Sequence, residues 1–367
     1  MHSFNPSRRS LLKSGVAGIA SAGMLPVSAF AADTTVGIIY VGPRDDFGWN
    51  QSHAVAAKVL KSLPGIKVVE EENVPETIAV QKSMASMIEL DGASLILATS
   101  FGYFDPHMIE MAKKYPKVQF RHATTLWNKD KHPANAGGYY CYLDQGHYIN
   151  GIAAGLSTTS NKLGFIAAKP IPIVLRNVNS FLLGARKVNP KATVQLIITG
   201  DWSLPVREAE ATNALVDAGC DVIACHVDSP KIVVETAEKR GAKSCGHNAD
   251  QSTLAPKGFI TGAELKWSTA YTAFAASLAK GAPIPNILEG GFDKDFVQNT
   301  AFGPGASEAA RKACAEATAD LKAGKPYYIG PIKDNTGKVV IEKTLDNYDG
   351  SYWGTNFLVE GIVGSIT

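Results

Sequence analysis

The segment Val36-Gly37-Ile38-Ile39-Tyr40, followed by Val55, Val59, Leu60 and Leu63 at helical spacing, decides how the rest of this chain is read. A short apolar run rich in β-branched residues, with no polar alternation, is what a strand covered on both faces requires. The same alternation continues with Ile66-Lys67-Val68-Val69, a helix around Val80 to Ile88, Ser94-Leu95-Ile96-Leu97-Ala98 and Val118-Gln119-Phe120. It restarts after Tyr142, where a helix over about 145–156 leads into Leu163-Gly164-Phe165-Ile166-Ala167. Val194 to Ile198, Val222-Ile223-Ala224 and Ser244-Cys245-Gly246 then follow, separated by further helices. The spacing predicts α/β architecture: two Rossmann-like lobes, each a parallel sheet covered by helices. After Trp267 an Ala-rich helix runs to Ala279, and Asp334-Asn335-Thr336-Gly337 carries a hairpin signal.

The N-terminus reads as an export signal. Ser7-Arg8-Arg9-Ser10-Leu11-Leu12-Lys13 precedes a weakly apolar stretch, and Ala29-Phe30-Ala31 offers the small residues of a cleavage site. Paired arginines in that setting point to twin-arginine export, so residues 1–31 are expected to be a signal peptide and the mature chain periplasmic. No cysteine adjoins the cleavage point, so no lipid anchor is expected. Of 367 residues, 336 remain, enough for two domains. The chain is expected to cross between lobes more than once, giving a first lobe of 33–143 plus 267–293 and a second of 144–266 plus 294–367.

Removing Arg8, Arg9 and Lys13 with the signal takes the formal charge from +2 to about −1, which gives no electrostatic case for nucleic acid. Five cysteines lack CxxC spacing and read as buried thiols, with a Cys225–Cys245 disulfide the one pairing left open. The eight histidines are scattered, so neither a metal nor a cofactor is expected. No HExxH, GxSxG, P-loop or GxGxxG motif occurs, and an enzyme is not expected.

In open parallel sheets ligands bind beyond the carboxyl ends of the strands, so the residues after each apolar run are the candidates. These are Asp46, Trp49 and Asn50 after the first strand, Tyr103 after the third, and Trp202, Asp228, Asn248 and Asp250 in the second lobe. Glu264 and Trp267 follow near the crossover. Three of the five tryptophans fall at strand exits, where indoles from both lobes could sandwich a planar ligand.

Asp46-Phe47-Gly48-Trp49-Asn50, Phe101 to Asp105, Phe181 to Ala185, Gly246 to Gln251, Gly330 to Asp334 and Trp353 through Gly361 occur here in order. In this order they resemble the basic-membrane-protein family of substrate-binding proteins, which includes receptors for purine nucleosides. The resemblance covers essentially the whole mature chain. It implies a type I periplasmic binding protein fold, hinge closure on a small ligand, an ABC transporter permease as partner and a monomeric receptor. It also implies that Trp49 and Trp202 are the stacking aromatics and Asn50 a nearby polar contact. Asn248 stands where nucleoside-binding members carry an aspartate for ribose hydroxyls, which tilts the expectation towards a free purine base. A nucleoside receptor and a ligand sensor for a signalling partner are the alternatives.

Overall fold

The computed structural model describes Thr34 to Ile366; the export signal expected over residues 1–31 lies outside the described residues. The apolar runs form strands β1 (Thr34–Ile39), β2 (Ile66–Glu71), β3 (Ala93–Ala98), β4 (Gln119–His122) and β5 (Ala136–Cys141). Between them lie α1 (Trp49–Lys61), α2 (Ile78–Glu89) and α3 (Ile109–Lys114). The chain continues through α4 (Asp144–Ser157), β6 (Lys162–Ala167), α5 (Pro172–Val188), β7 (Thr193–Ile198), α6 (Pro205–Asp217), β8 (Val222–His226), α7 (Lys231–Lys239), β9 (Lys243–Asn248) and β10 (Phe259–Leu265). Then come α8 (Ser268–Ala279), β11 (Ile287–Gly290), β12 (Val297–Asn299), α9 (Glu308–Lys322), β13 (Ile332–Lys333), β14 (Val339–Ile341) and β15 (Ile362–Val363).

Two large sheets result. The first is six-stranded in the order β11-β5-β4-β3-β1-β2, with every pairing parallel. The second is seven-stranded, β12-β10-β9-β8-β6-β7-β15, parallel except where β12 runs against β10. Full burial of β1 and near-full burial of β3 and β6 explain why these strands are apolar on both faces. The chain passes between the sheets from β5 to α4, from β10 to α8 and from β11 to β12. Helix α8 packs back on α1 of the first sheet, where Trp267 stacks on His53 at 4.9 Å and Tyr271 Oη lies 2.7 Å from His53 Nδ1. The hairpin expected at 334–337 forms between β13 and β14, with Gly337 N donating to the Asp334 carbonyl at 2.9 Å.

At the β5 to α4 crossing the Asp144 carboxylate pairs with Arg176 of α5 at 3.0 Å, and both are fully buried. Tyr327 donates its hydroxyl to the other Asp144 oxygen. The guanidinium lies 5.1–5.9 Å from the rings of Tyr140, Tyr142, Tyr352 and Trp353. Burial opposes the charge on Arg176, and the Asp144 carboxylate together with the hydroxyls of Tyr140, Tyr327 and Tyr328 outweighs it, so its pKa stays above the ordinary value.

The open disulfide question resolves against a bond: all five cysteines are free and buried. Ile223 of β8 pairs with Ser244 of β9, which puts Cys225 and Cys245 one residue out of step. Successive side chains alternate faces, so Cys225 packs in the cluster around Ile166 and Ile223, and Cys245 in the cluster around Leu163 and Ile260.

Candidate functional site

The carboxyl ends of the two sheets face each other across a cavity of about 760 Å³. Trp49 starts α1 because Asp46 prepares that helix end, its carboxylate accepting from the backbone N–H groups of Gly48, Asn50 and Gln51 at 2.8–2.9 Å. The Trp49 indole is held by its Nε1–H donating to the Thr99 carbonyl at 3.0 Å, and its ring meets Trp267 edge-on at 5.7 Å. Trp267 is buried, with Nε1–H donating to Ser52 Oγ at 2.9 Å. Trp202, half-buried, lies across in the second lobe with Lys169 Nζ 5.4 Å from its ring. All three indoles line the cavity.

Asp228 and Asn248 line it too, and they differ from most polar side chains in this protein. Among the described residues, none donates to the Asp228 carboxyl and none engages the Asn248 amide. Asn248 is 3% exposed and has φ of 68°, a left-handed conformation that asparagine tolerates better than most residues. Its loop is stapled by Gln251, which accepts from His247 N at 2.9 Å and donates back to the His247 carbonyl at 2.8 Å. Behind them His226 Nδ1 meets Asn177 Nδ2 at 2.8 Å, and burial pushes the His226 pKa down to about 3, so the ring is neutral.

Among the described residues the cavity lining contains no lysine or arginine and two carboxyls, Glu76 and Asp228. Burial, and after it the carboxylates of Asp46 and Glu76, push the Asp228 pKa up to about 8. The folded protein therefore holds a proton at Asp228 that the unfolded chain releases near pH 4, so rising pH costs stability across the window from about 4 to 8. Asp228→Asn is expected to stabilise the closed form, its advantage growing by more than ~1 kcal/mol between pH 5 and pH 9, one pKa unit being worth ~1.4 kcal/mol. Thermal melts at both pH values check this, and an advantage independent of pH would remove the raised carboxyl.

The remaining candidates lie outside the lining. Tyr103 is fully buried in the first-lobe core and donates to the Val74 carbonyl, because the chain after β3 turns inward. Asp46 is engaged as the α1 cap, and Asn50 Nδ2 donates to Asp46 Oδ2 at 2.8 Å instead of facing the cavity. Asp250 is exposed and caps Ser252 N at 2.7 Å. Glu264 points along the sheet to Gln298 Nε2 at 2.8 Å and to Thr300 Oγ1. Lining residues that the strand-exit reading passed over include Thr124 to Asn128 after β4 and Ile171 to Ile173 after β6. The same rule, applied to those two exits, points to them. Trp353 also lines the cavity, from the far C-terminal segment, where the family resemblance marks the stretch but no strand exit points to the site.

The two lobes touch directly at one side of the cavity. Trp49 N donates to the Asp228 carbonyl at 2.8 Å, Ser229 Oγ to the Asp46 carbonyl at 2.7 Å, and Gln251 Nε2 to the Phe47 carbonyl at 2.5 Å. This is a closed arrangement.

The sequence profile described as ABC transporter substrate-binding protein PnrA-like matches residues 33–309, and the chain belongs to that family, known as Bmp. A purine-binding protein of Brucella abortus (strain 2308) is 34% identical over 330 residues, 89% of this chain and 92% of that protein. A putative ABC transporter glucose-binding protein of Haloferax volcanii is 31% identical over 74% of this chain and 67% of its own length. Among solved structures, a solute-binding protein of an ABC transporter system from Conexibacter woesei superposes with a TM-score of 0.68 at 20% identity, covering 79% of this chain and 97% of that one. One from Aeropyrum pernix superposes at 0.66 and 18% identity, covering 82% and 93%. The fold is thus that of the type I periplasmic solute-binding proteins, and the family and these neighbours are substrate-binding proteins. No helix among the described residues is long and apolar enough to cross a membrane, and no group of three metal-ligating side chains occurs among them.

Proposed function

We propose that this protein is the periplasmic receptor of an ABC importer, closing on a purine base or closely related planar heterocycle. The observation that carries this reading is an indole-walled cavity, holding Trp49 and Trp202 from opposite lobes, in which the Asp228 carboxyl and the Asn248 amide have no protein partner among the described residues. Flat apolar walls favour a flat ring, and a few convergent polar groups fix its orientation. The absence of any cation from the lining disfavours a phosphorylated ligand, since an anion would meet two carboxyls unaided. The Brucella relative named for purine binding points the same way. Asn248 suits a base better than a ribose diol, because a neutral amide makes weaker hydrogen bonds to hydroxyls than a carboxylate does.

Closure would follow rotation about the three crossing segments near residues 143, 266 and 294, with 33–143 plus 267–293 moving against 144–266 plus 294–367. The closed surface would be what a permease recognises, and the receptor would act as a monomer. Calorimetry of residues 32–367 with adenine, hypoxanthine, adenosine and glucose tests the reading. A purine base is expected to bind more tightly than adenosine, and glucose binding with no response to any purine would sink the proposal. Stacking contributes ~1–3 kcal/mol per base, so Trp202→Ala is expected to weaken base binding at least tenfold while the melting profile stays cooperative. Unchanged affinity would remove Trp202 from the sandwich.

A further inference from the structure

The cavity has two chemically different ends. At one, Trp49, Asp228 and Asn248 converge where β1 faces β8 and β9. At the other, the loop after β4 supplies Leu126 and Trp127, the start of α5 supplies Ile171 and Ile173, and the C-terminal segment supplies Trp353. Trp353 is a fixed wall, its ring 5.0 Å from that of Tyr140 and 5.1 Å from the Arg176 guanidinium, yet it remains 39% exposed. Leu126, also in the lining, is 45% exposed. Large apolar side chains left uncovered together mark a surface that something apolar covers.

The polar side chains at this second end are already engaged. The Tyr140 hydroxyl accepts from Arg176 Nη2 at 3.0 Å, the Thr124 hydroxyl is bonded to His122 Nδ1 at 2.7 Å, and Asn177 Nδ2 faces His226 at 2.8 Å. Thr125 alone keeps an unengaged hydroxyl in the described structure. A sugar placed here would bring several hydroxyls to a wall with few partners for them, at a desolvation cost. The cavity volume of about 760 Å³ is also of the size that holds a drug-sized ligand, ~300–1,000 Å³, larger than a bare two-ring base needs.

We infer that the Leu126, Trp127, Ile173 and Trp353 end of the cavity is a subsite for an apolar arm carried by the bound heterocycle, making the preferred ligand a purine with an aromatic or branched-alkyl substituent. This rests on the purine reading of the same cavity and narrows it. The apolar arm covers Trp353 and Leu126 while the ring remains between the indoles with its polar edge at Asp228 and Asn248.

The experiment compares adenine, adenosine and 6-benzylaminopurine by calorimetry on the full mature chain and on two variants. The benzyl compound is expected to bind the unmodified protein at least tenfold more tightly than adenine. Trp353→Ala and, on the exposed loop where folding is not at stake, Leu126→Gln are each expected to remove most of that gain, lowering affinity for the benzyl compound several-fold more than affinity for adenine. Adenine binding with no gain from the benzyl arm, a gain that survives both substitutions, or a larger gain from ribose than from benzyl would overturn the subsite while leaving the purine reading intact. Failure of all three compounds to bind would overturn both.

Discussion

Asp144→Ala is expected to lower the folding stability by ~3–5 kcal/mol, the cost of leaving one member of a buried ion pair without the other. Arg176 would keep its charge inside a ring of Tyr140, Tyr142, Tyr352 and Trp353, with no other carboxylate in contact among the described residues. The aromatic faces stabilise a cation by ~0.5–2 kcal/mol, well short of replacing the carboxylate. Tyr327 would lose the acceptor for its hydroxyl in the same substitution. Denaturant titration measures the loss, and a change below ~1 kcal/mol would show that the pair contributes little. The double variant Asp144→Leu with Arg176→Met should lose less than the single one, since it removes both charges from the interior together.

Gly48→Ala is expected to weaken ligand binding by about a hundredfold without lowering the melting temperature of the ligand-free protein. A Cβ built on Gly48 would lie 1.9 Å from the Asp228 carbonyl oxygen and 2.6 Å from Pro230 Cδ, so the first lobe could not seat its Asp46 to Trp49 loop on the second. Those contacts exist only when the lobes are together, so the penalty falls on the closed form alone. A penalty of ~2.8 kcal/mol on the binding-competent state reduces apparent affinity about a hundredfold. Small-angle scattering should show the variant failing to compact when ligand is added. Wild-type affinity in this variant would mean that binding does not require the contact seen here.

The strand-and-helix alternation was readable because every strand of the two interiors had to be apolar on both faces, as β1, β3 and β6 show. β5 escaped that reading. Its Ala-Gly-Gly-Tyr-Tyr-Cys sequence has weak strand propensity, yet glycine is required because a Cβ at Gly137 would meet the Asn286 carbonyl oxygen at 2.1 Å and one at Gly138 the Thr124 carbonyl oxygen at 1.8 Å. Close backbone approach between distant segments leaves no periodic trace. At the site, position after a strand was enough to bring out Trp49, Trp202, Asp228, Asn248 and Trp267, all of which line the cavity. The rule reports where a residue leaves the sheet and not which way its side chain turns. Tyr103 turns into the core, and Asp46 and Asn50 are engaged with the start of α1. Trp353 reaches the cavity from a part of the chain with no strand exit of its own, so only the folded structure could bring it there.

The first sheet is completed by β11, which pairs with β5 only after the whole of β6 to β10 has been made, and the second awaits β15 at Ile362–Val363. Neither sheet can therefore finish assembling until well over half of the polypeptide has left the ribosome. Contacts this distant along the chain slow collapse to the native state and prolong the life of partly built sheets with open edges. Such a nascent chain depends on being shielded from its neighbours until the last few residues are released.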